Sequence, residues 1–370
     1  MVPSKSTQII IHTPNPAEPK RYLHRQFTEG TTRSSAGFFF DFHRGYRAEW
    51  LAWRVKIVLS PFKVSGYIGR SRHLEKRRHH SRTRYNQKPD DTTMQSAKLT
   101  PESMLHIYYL QGRIAKDKKI VNKNYLGTWE EDEFSFVFFL QEAPDAIEAL
   151  IEEQKDLVLL DTYQMTYEQW QGGKIEPRQI GGFLVVPPWF TPPAEEPSTV
   201  ITLDPGVVFG NGLHPTTRDC LQAIEITCAG GKVETMLDLG TGTGILALAA
   251  IKRGCIKAVA VDYNFLACRT ARDNVVLNEM ENNIVVINSQ AEIFSEIPTD
   301  LLVANIHYDI MKDIIRSEGF LKQKWFVLSG LLTSEAAKVE EYLAGLPVLI
   351  LQRWSQDGTW HTILGITATA

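Results

Sequence analysis

From about residue 215 onward the hydrophobic positions fall into two alternating kinds of run. Short runs dense in aliphatic and β-branched residues recur at Thr235–Leu239, Ala258–Val261, Ile284–Asn288, Leu301–Asn305 and Phe326–Ser329. Their length and composition predict buried strands. Longer segments lie around and between them, at Thr216–Cys228, Ile245–Arg253, Asn264–Asn278, Ile310–Leu321 and Glu335–Leu343, and predict helices. That alternation implies a parallel sheet covered by helices. The C-terminus breaks the pattern. Val348–Arg353, a turn at Gln356-Asp357-Gly358 and Trp360–Ile366 read as an antiparallel hairpin.

Upstream, residues 101–170 read as a small α+β unit. Leu105–Leu110, Phe134–Leu140 and Leu157–Leu160 are strand-like. Pro144 opens an acidic helix, Ala143–Gln154, with Ile147, Leu150 and Ile151 on one face. Between Gln111 and Tyr125, Lys116, Lys118, Lys119 and Lys123 read as a solvated loop. Paired glycines and prolines punctuate the next stretch, with one short strand at Phe183–Val186. The expected organisation is an N-terminal extension over 1–93, a small α+β domain over 100–162, a linker over 163–200 and an α/β domain over 201–370.

Charge sets the first 93 residues apart. The chain has 370 residues and a net charge of −3. Residues 1–93 hold 18 Lys and Arg against 7 Asp and Glu, whereas the remainder holds 22 against 36. The basic stretch shows no lasting periodicity, so it is expected to be disordered. Three explanations stand open for it: an over-extended reading frame with translation starting at Met94 or Met104, an RNA-binding arm, or a transit peptide. The four cysteines form no C-x-x-C pair, which argues against a disulfide framework or structural zinc and suits a reducing, cytoplasmic setting. No metal site is expected. No uncharged apolar run is long enough to span a membrane.

The candidate chemistry lies after the first strand of the α/β region. Asp238-Leu-Gly240-Thr-Gly242-Thr-Gly244 joins that strand to a helix. Spaced glycines let a backbone turn sharply and lie close to a ligand, although a tight strand–helix turn alone would also use them. The dinucleotide spacing G-x-G-x-x-G is not met. The second strand ends in Asp262, where a carboxylate can accept both hydroxyls of a ribose or cap the next helix. Further upstream, Leu203-Asp-Pro-Gly-Val-Val-Phe209-Gly-Asn-Gly-Leu-His-Pro-Thr216-Thr217 combines three glycines, a buried-type Phe209 and a helix start. Helix capping would explain Thr216 or Thr217, but not the glycines or Phe209.

The acid, the spaced-glycine loop and the strand-end acid together resemble class I S-adenosylmethionine-dependent methyltransferases. The upstream segment resembles the signature of the PrmA family, which methylates ribosomal protein L11. That family's usual form is D-P-G-x-A-F-G-T-G-x-H-P-T-T; Val208 and Asn211 depart from it here. Ala304-Asn-Ile306, Leu328-Ser-Gly-Leu-Leu332, Trp360-His-Thr362, Tyr167-Glu-Gln-Trp170 and Val186-Pro-Pro-Trp189 are similar to the family in the same order. The resemblance covers about 160–370.

The resemblance implies a Rossmann-like methyltransferase sheet ending in an antiparallel hairpin, with a small substrate-recognition domain before it. It implies S-adenosylmethionine as cofactor, contacted by Thr217, Asp238, Gly240, Gly242, Gly244, Asp262, Ala291, Asn305 and Phe209. Asp238 and the glycine loop would hold the methionine end, Asp262 the ribose, and the segment around Ala291 the adenine. Asn305 would stand beside the transferred methyl group as the catalytic residue. His307 reads as a general base or as a helix-start histidine. The implied partner is ribosomal protein L11, free or on the ribosome, methylated at lysine or other amino groups. Nucleic-acid contact is expected only through the basic N-terminal stretch. Another protein lysine as substrate, or a non-catalytic cofactor-binding interaction protein, are the alternatives.

Overall fold

The computed structural model describes residues 99–368, apart from 116, 132, 192–198, 231–232 and 357. The expectations for the basic N-terminal stretch fall outside these residues.

Strands β1 (Met104–Gln111), β2 (Tyr125–Glu131), β3 (Phe134–Phe139) and β4 (Val158–Thr166) form an antiparallel sheet of order β2-β3-β1-β4. Period-2 alternation divides its side chains between two cores. Tyr108, Leu110, Val137 and Phe139 pack with Ile147 and Leu150 of helix α1 (Pro144–Glu153). Leu105, Ile107 and Phe138 point the other way and join a cluster with Val207, Val208, Leu266 and Ala267. The composition did not announce β2: its run YLGTWEE is interrupted by a glycine and polar residues. It exists because the hairpin register pairs it with β3, from Glu131↔Phe134 to Tyr125↔Phe139. β4 runs from Val158 to Thr166, past the expected Leu157–Leu160, through a mixed polar stretch that its pairing with β1 holds extended.

The expected linker carries structure of its own. The short helix α2 (Tyr167–Trp170) is held by a capping box between Thr166 and Gln169. Strands β5 (Arg178–Ile180), β6 (Phe183–Val186) and β7 (Val200–Thr202) form a small sheet, antiparallel across the Gly181-Gly182 turn and parallel between β6 and β7.

The main sheet has seven strands: β8 (Thr235–Leu239), β9 (Lys257–Asp262), β10 (Ile284–Asn288), β11 (Leu301–Asn305), β12 (Trp325–Leu332), β13 (Val348–Gln356) and β14 (Trp360–Thr367). Their order is β10-β9-β8-β11-β12-β14-β13. The first five run parallel, and β14 inserts antiparallel to both β12 and β13. This is the class I methyltransferase sheet with its terminal hairpin, as the resemblance implied. The connecting helices are α3 (Pro215–Gly230), α4 (Ile245–Lys252), α5 (Phe265–Leu277), α6 (Ala291–Phe294), α7 (Tyr308–Arg316) and α8 (Thr333–Leu343). One helix is shorter than its pattern suggested. The segment expected over Ile310–Leu321 stops at Ser317, which turns extended, and a separate 3-10 turn follows at Phe320–Lys322. The sheet interior is aliphatic: Met236, Ala258, Ala260, Leu301, Val303 and Val327 meet Leu246, Ala247, Leu248 and Ala249 of α4.

Strand order reverses at β8, with β9 on one side and β11 on the other. Ligands of open α/β sheets bind beyond the carboxyl ends of the strands at such a switch point. The ends in question carry Asp238, Asp262 and Asn305.

Candidate functional site

Asp238 lies one residue before the end of β8 and is fully buried. Its Oδ2 accepts the Thr241 hydroxyl at 2.6 Å, while its Oδ1 has no hydrogen-bond partner. Burial pushes this carboxyl up to about 7. The side chain therefore underpins the glycine loop from below, through Thr241.

The loop is built against protein on its outer side. Gly242 has φ +56°, and a Cβ there would lie 2.5 Å from the Phe209 carbonyl oxygen. At Gly240, with φ +75°, a Cβ would lie 2.2 Å from Ile306 Cγ2. These glycines are thus demanded by the close approach of the upstream signature loop and of the segment after β11, as well as by the left-handed backbone. Gly244 precedes α4 and stands against Ala271.

Asp262 ends β9 directly beside this bend. Its Oδ2 accepts the Gly242 N–H at 3.0 Å and its Oδ1 the Asn264 N–H at 2.8 Å. Burial raises its pKa, opposed by these backbone hydrogen bonds. Asp262 is not the cap of α5. That role belongs to Asn264, whose Oδ1 accepts from Leu266 and Ala267. Tyr263 and Phe265, on either side of the cap, are exposed, as is Ile293 next to Ala291. Ala291 itself opens α6 and is half-buried.

The signature segment crosses the glycine loop and is tied to it. The Thr243 hydroxyl donates to the Gly210 carbonyl at 2.8 Å. Phe209 is 46% exposed, which corrects the buried reading of its type. Its ring edge meets His214 at 5.3 Å, and His214 in turn meets Trp360 at 4.9 Å. Burial lowers the His214 pKa. Helix α3 begins at Pro215, so Thr216 and Thr217 lie inside its first turn and neither is the cap. Thr216 Oγ1 bonds the His214 ring at 2.7 Å, whereas Thr217 Oγ1 is buried without a partner. Asn211, one of the departures from the family pattern, donates to Gln171 Oε1 at 3.0 Å and accepts from Leu213 N–H. It joins the loop to α2.

Asn305 ends β11, half-buried and paired in register with Ser329. His307 is exposed at the position before α7, a helix-start residue. The structure thus brings Thr217, Asp238, Gly240, Gly242, Gly244, Asp262 and Asn305 to the C-terminal edge of one sheet. Phe209 and Ala291 flank that edge.

Sequence reasoning missed Asn274. Its buried amide accepts the Asp204 N–H at 2.8 Å and donates to the carbonyls of Asp204 and Thr243, each at 2.9 Å. Tyr167 adds a second anchor, its hydroxyl donating to Asp204 Oδ1 at 2.8 Å. A mid-helix asparagine carries no local signal for such a role, because its partners lie 31 and 70 residues away.

Residues 105–367 match the family model described as ribosomal protein L11 methyltransferase (PrmA). A relative from Geobacter sulfurreducens carrying that name is 37% identical over 208 residues, 53% of this chain and 66% of its own. One from Enterococcus faecalis is 36% identical over 51% of this chain and 60% of its own. The matched segments thus span less than two thirds of these relatives. A solved ribosomal protein L11 methylase from Lactobacillus delbrueckii subsp. bulgaricus is 28% identical with a TM-score of 0.45, covering 52% of this chain and 99% of that one. With the matched segment running through both the small sheet and the seven-stranded one, the chain belongs to the PrmA family of ribosomal protein L11 methyltransferases.

Proposed function

We propose that the chain transfers methyl groups from S-adenosylmethionine to lysine or other amino groups of ribosomal protein L11. The observation that carries this reading is the lock between Gly242 and Asp262 at the sheet's switch point, in a chain of this family. Two unsatisfied buried polar atoms at the same edge, Thr217 Oγ1 and Asp238 Oδ1, support a polar, cationic ligand there, since buried polar groups ordinarily find partners. Asp262 retains acceptor capacity for ribose hydroxyls, because each carboxylate oxygen can accept more than one hydrogen bond. Tyr263 and the segment around Ala291 offer apolar surface for the adenine.

When bound, the cofactor supplies a methyl group on a positively charged sulfur, already activated for displacement. The chain's own contribution is alignment and exclusion of water. The Asn305 carboxamide orients the incoming amine by accepting one of its N–H groups, leaving the nitrogen lone pair for attack. A lysine must first lose a proton, against an ordinary pKa of about 10.4. Entry into a desolvated site beside a positive charge lowers that value. The buried Asp238 carboxyl and the half-buried Asp262 carboxyl hold the loop in shape throughout.

The sheet within 100–162 is the proposed recognition domain for the protein substrate, and the cytoplasm the proposed location. Among the described residues no helix is long and apolar enough to cross a membrane. Incubation with radiolabelled S-adenosylmethionine and ribosomes, with and without ribosomal protein L11, tests the reading. Label on that protein is the expected result. Label on a different protein, or cofactor binding without turnover, overturns it. In calorimetry Asp262→Ala is expected to lose cofactor binding, and undiminished affinity would contradict the ribose assignment.

A further inference from the structure

Away from the sheet edge just described, a cleft of about 350 Å³ opens between the β5–β6 turn, the signature loop and α3. Arg178, Gln179, Ile180, Gly181, Gly212, Arg218 and Gln222 line it. Two arginines line one cavity, and no carboxylate is among the lining residues. Like charges sharing a cleft repel one another, and a bound anion relieves that cost.

The nearby carboxylates have hydrogen-bond or ion-pair partners of their own. Glu225 accepts from Gly182 N–H and pairs with Arg253. Glu176 lies 3.9 Å from Lys174. Asp219 accepts from Gln356 and Thr362; burial raises its pKa, while those hydrogen bonds and the neighbouring Arg218 charge lower it. Among the described residues neither Arg178 nor Arg218 takes part in an ion pair.

The remaining polar groups add donors. Gln222 Oε1 accepts the Trp354 indole N–H at 3.0 Å, which leaves its amide NH₂ as the free end. Arg178 is tied by one nitrogen to the Lys174 carbonyl at 2.9 Å. Gly212 packs against Ile180, where a Cβ would lie 2.7 Å from Cδ1, closing the floor of the cleft.

We propose that this cleft binds a phosphate group, with Arg178 and Arg218 as its charged contacts and the Gln222 amide as a third donor. Guanidinium groups suit phosphate oxygens because they present parallel N–H donors in a fixed plane. The volume falls in the range of roughly 300–1,000 Å³ typical of small-molecule sites, larger than a bare ion requires. A phosphorylated small molecule such as a nucleoside monophosphate and a phosphodiester of RNA share this chemistry. The inference goes beyond the proposed methyl transfer and does not depend on it.

Isothermal titration of the full chain with inorganic phosphate, a nucleoside 5′-monophosphate and a short single-stranded RNA, at constant ionic strength, tests it. The monophosphate is expected to bind, and Arg178→Gln and Arg218→Gln each to weaken it by about tenfold or more, the scale of one lost charge-assisted contact. Arg353→Gln, a surface arginine paired with Glu340, should leave binding unchanged. RNA binding that falls with the same two substitutions would identify a nucleic-acid source, and monophosphate binding alone a free ester. Arg178→Lys, which keeps the charge without the fork, should fall between parent and Gln. No binding of any of the three probes, or affinity in both Gln variants unchanged from the parent's, overturns the proposal. Both arginines are exposed, so the variants should keep the parent's melting temperature.

Discussion

Asp238 is the residue at which burial and charge conflict most directly. Its folded carboxyl titrates at about 7, raised by burial from an ordinary 3.8. Between those two values the folded state holds a proton that the unfolded chain releases. The stability this group contributes is therefore full below its unfolded pKa and drains away as pH rises through 7. Asp238→Asn keeps the shape and removes the titration. In urea unfolding from about pH 5 to about pH 8, the parent is expected to lose stability relative to that variant as pH rises. A parallel course of the two curves would show that Asp238 does not titrate in this window. Gly242 meets a steric conflict instead. Gly242→Ala would place a Cβ against the Phe209 carbonyl in a left-handed backbone. The backbone preference alone costs about 1–2 kcal/mol, so the denaturation midpoint should fall by at least that equivalent, and cofactor affinity with it.

Helix α5 shows how one element can hold two loops. Its N-terminus is capped by Asn264, beside Asp262. One turn before its end, Asn274 stitches it to Asp204 and to Thr243 in the glycine loop. Asn274→Ala removes three hydrogen bonds and strands buried backbone groups. The expected loss is about 2–4 kcal/mol, since each unsatisfied buried group costs about 1–3. Asn264→Ala should cost less, about 1 kcal/mol, the usual worth of a cap. Thermal melts of the two variants decide the order, and equal losses would mean that the Asn274 bridge adds nothing beyond ordinary capping.

At the scale of the whole described chain, the small antiparallel sheet and the seven-stranded sheet meet through Leu266, which sits 4% exposed at the start of α5. Gly127 in β2 leaves room for it, because a Cβ there would lie 2.6 Å from Leu266 Cδ1. The Arg269 guanidinium donates to the Leu126 carbonyl beside the same contact. Leu266→Ala is expected to cost about 2–5 kcal/mol, as for buried leucines in general, and to speed amide exchange across Tyr125–Glu131 more than across β8. Exchange unchanged in β2 would show that the contact does not hold that strand.

Local patterning by itself determined the alternating elements of the large sheet, its antiparallel end and the acid–glycine–acid sequence, because period and turn chemistry are written in neighbouring residues. The five parallel strands and the hairpin lie where the runs of apolar residues put them, to within a few positions. Tertiary structure alone decided which groups meet. It made β2 a strand by pairing it, drew Thr216 and Thr217 into the first turn of α3, left Phe209 exposed, and gave the Asn274 side chain its three hydrogen bonds. These outcomes rest on backbone donors and acceptors that must be satisfied across long separations in sequence. A neighbour-by-neighbour pattern of hydrophobic and polar positions does not carry that information, so the candidate site's acid–glycine–acid segment was legible while the scaffolding that shapes it was not.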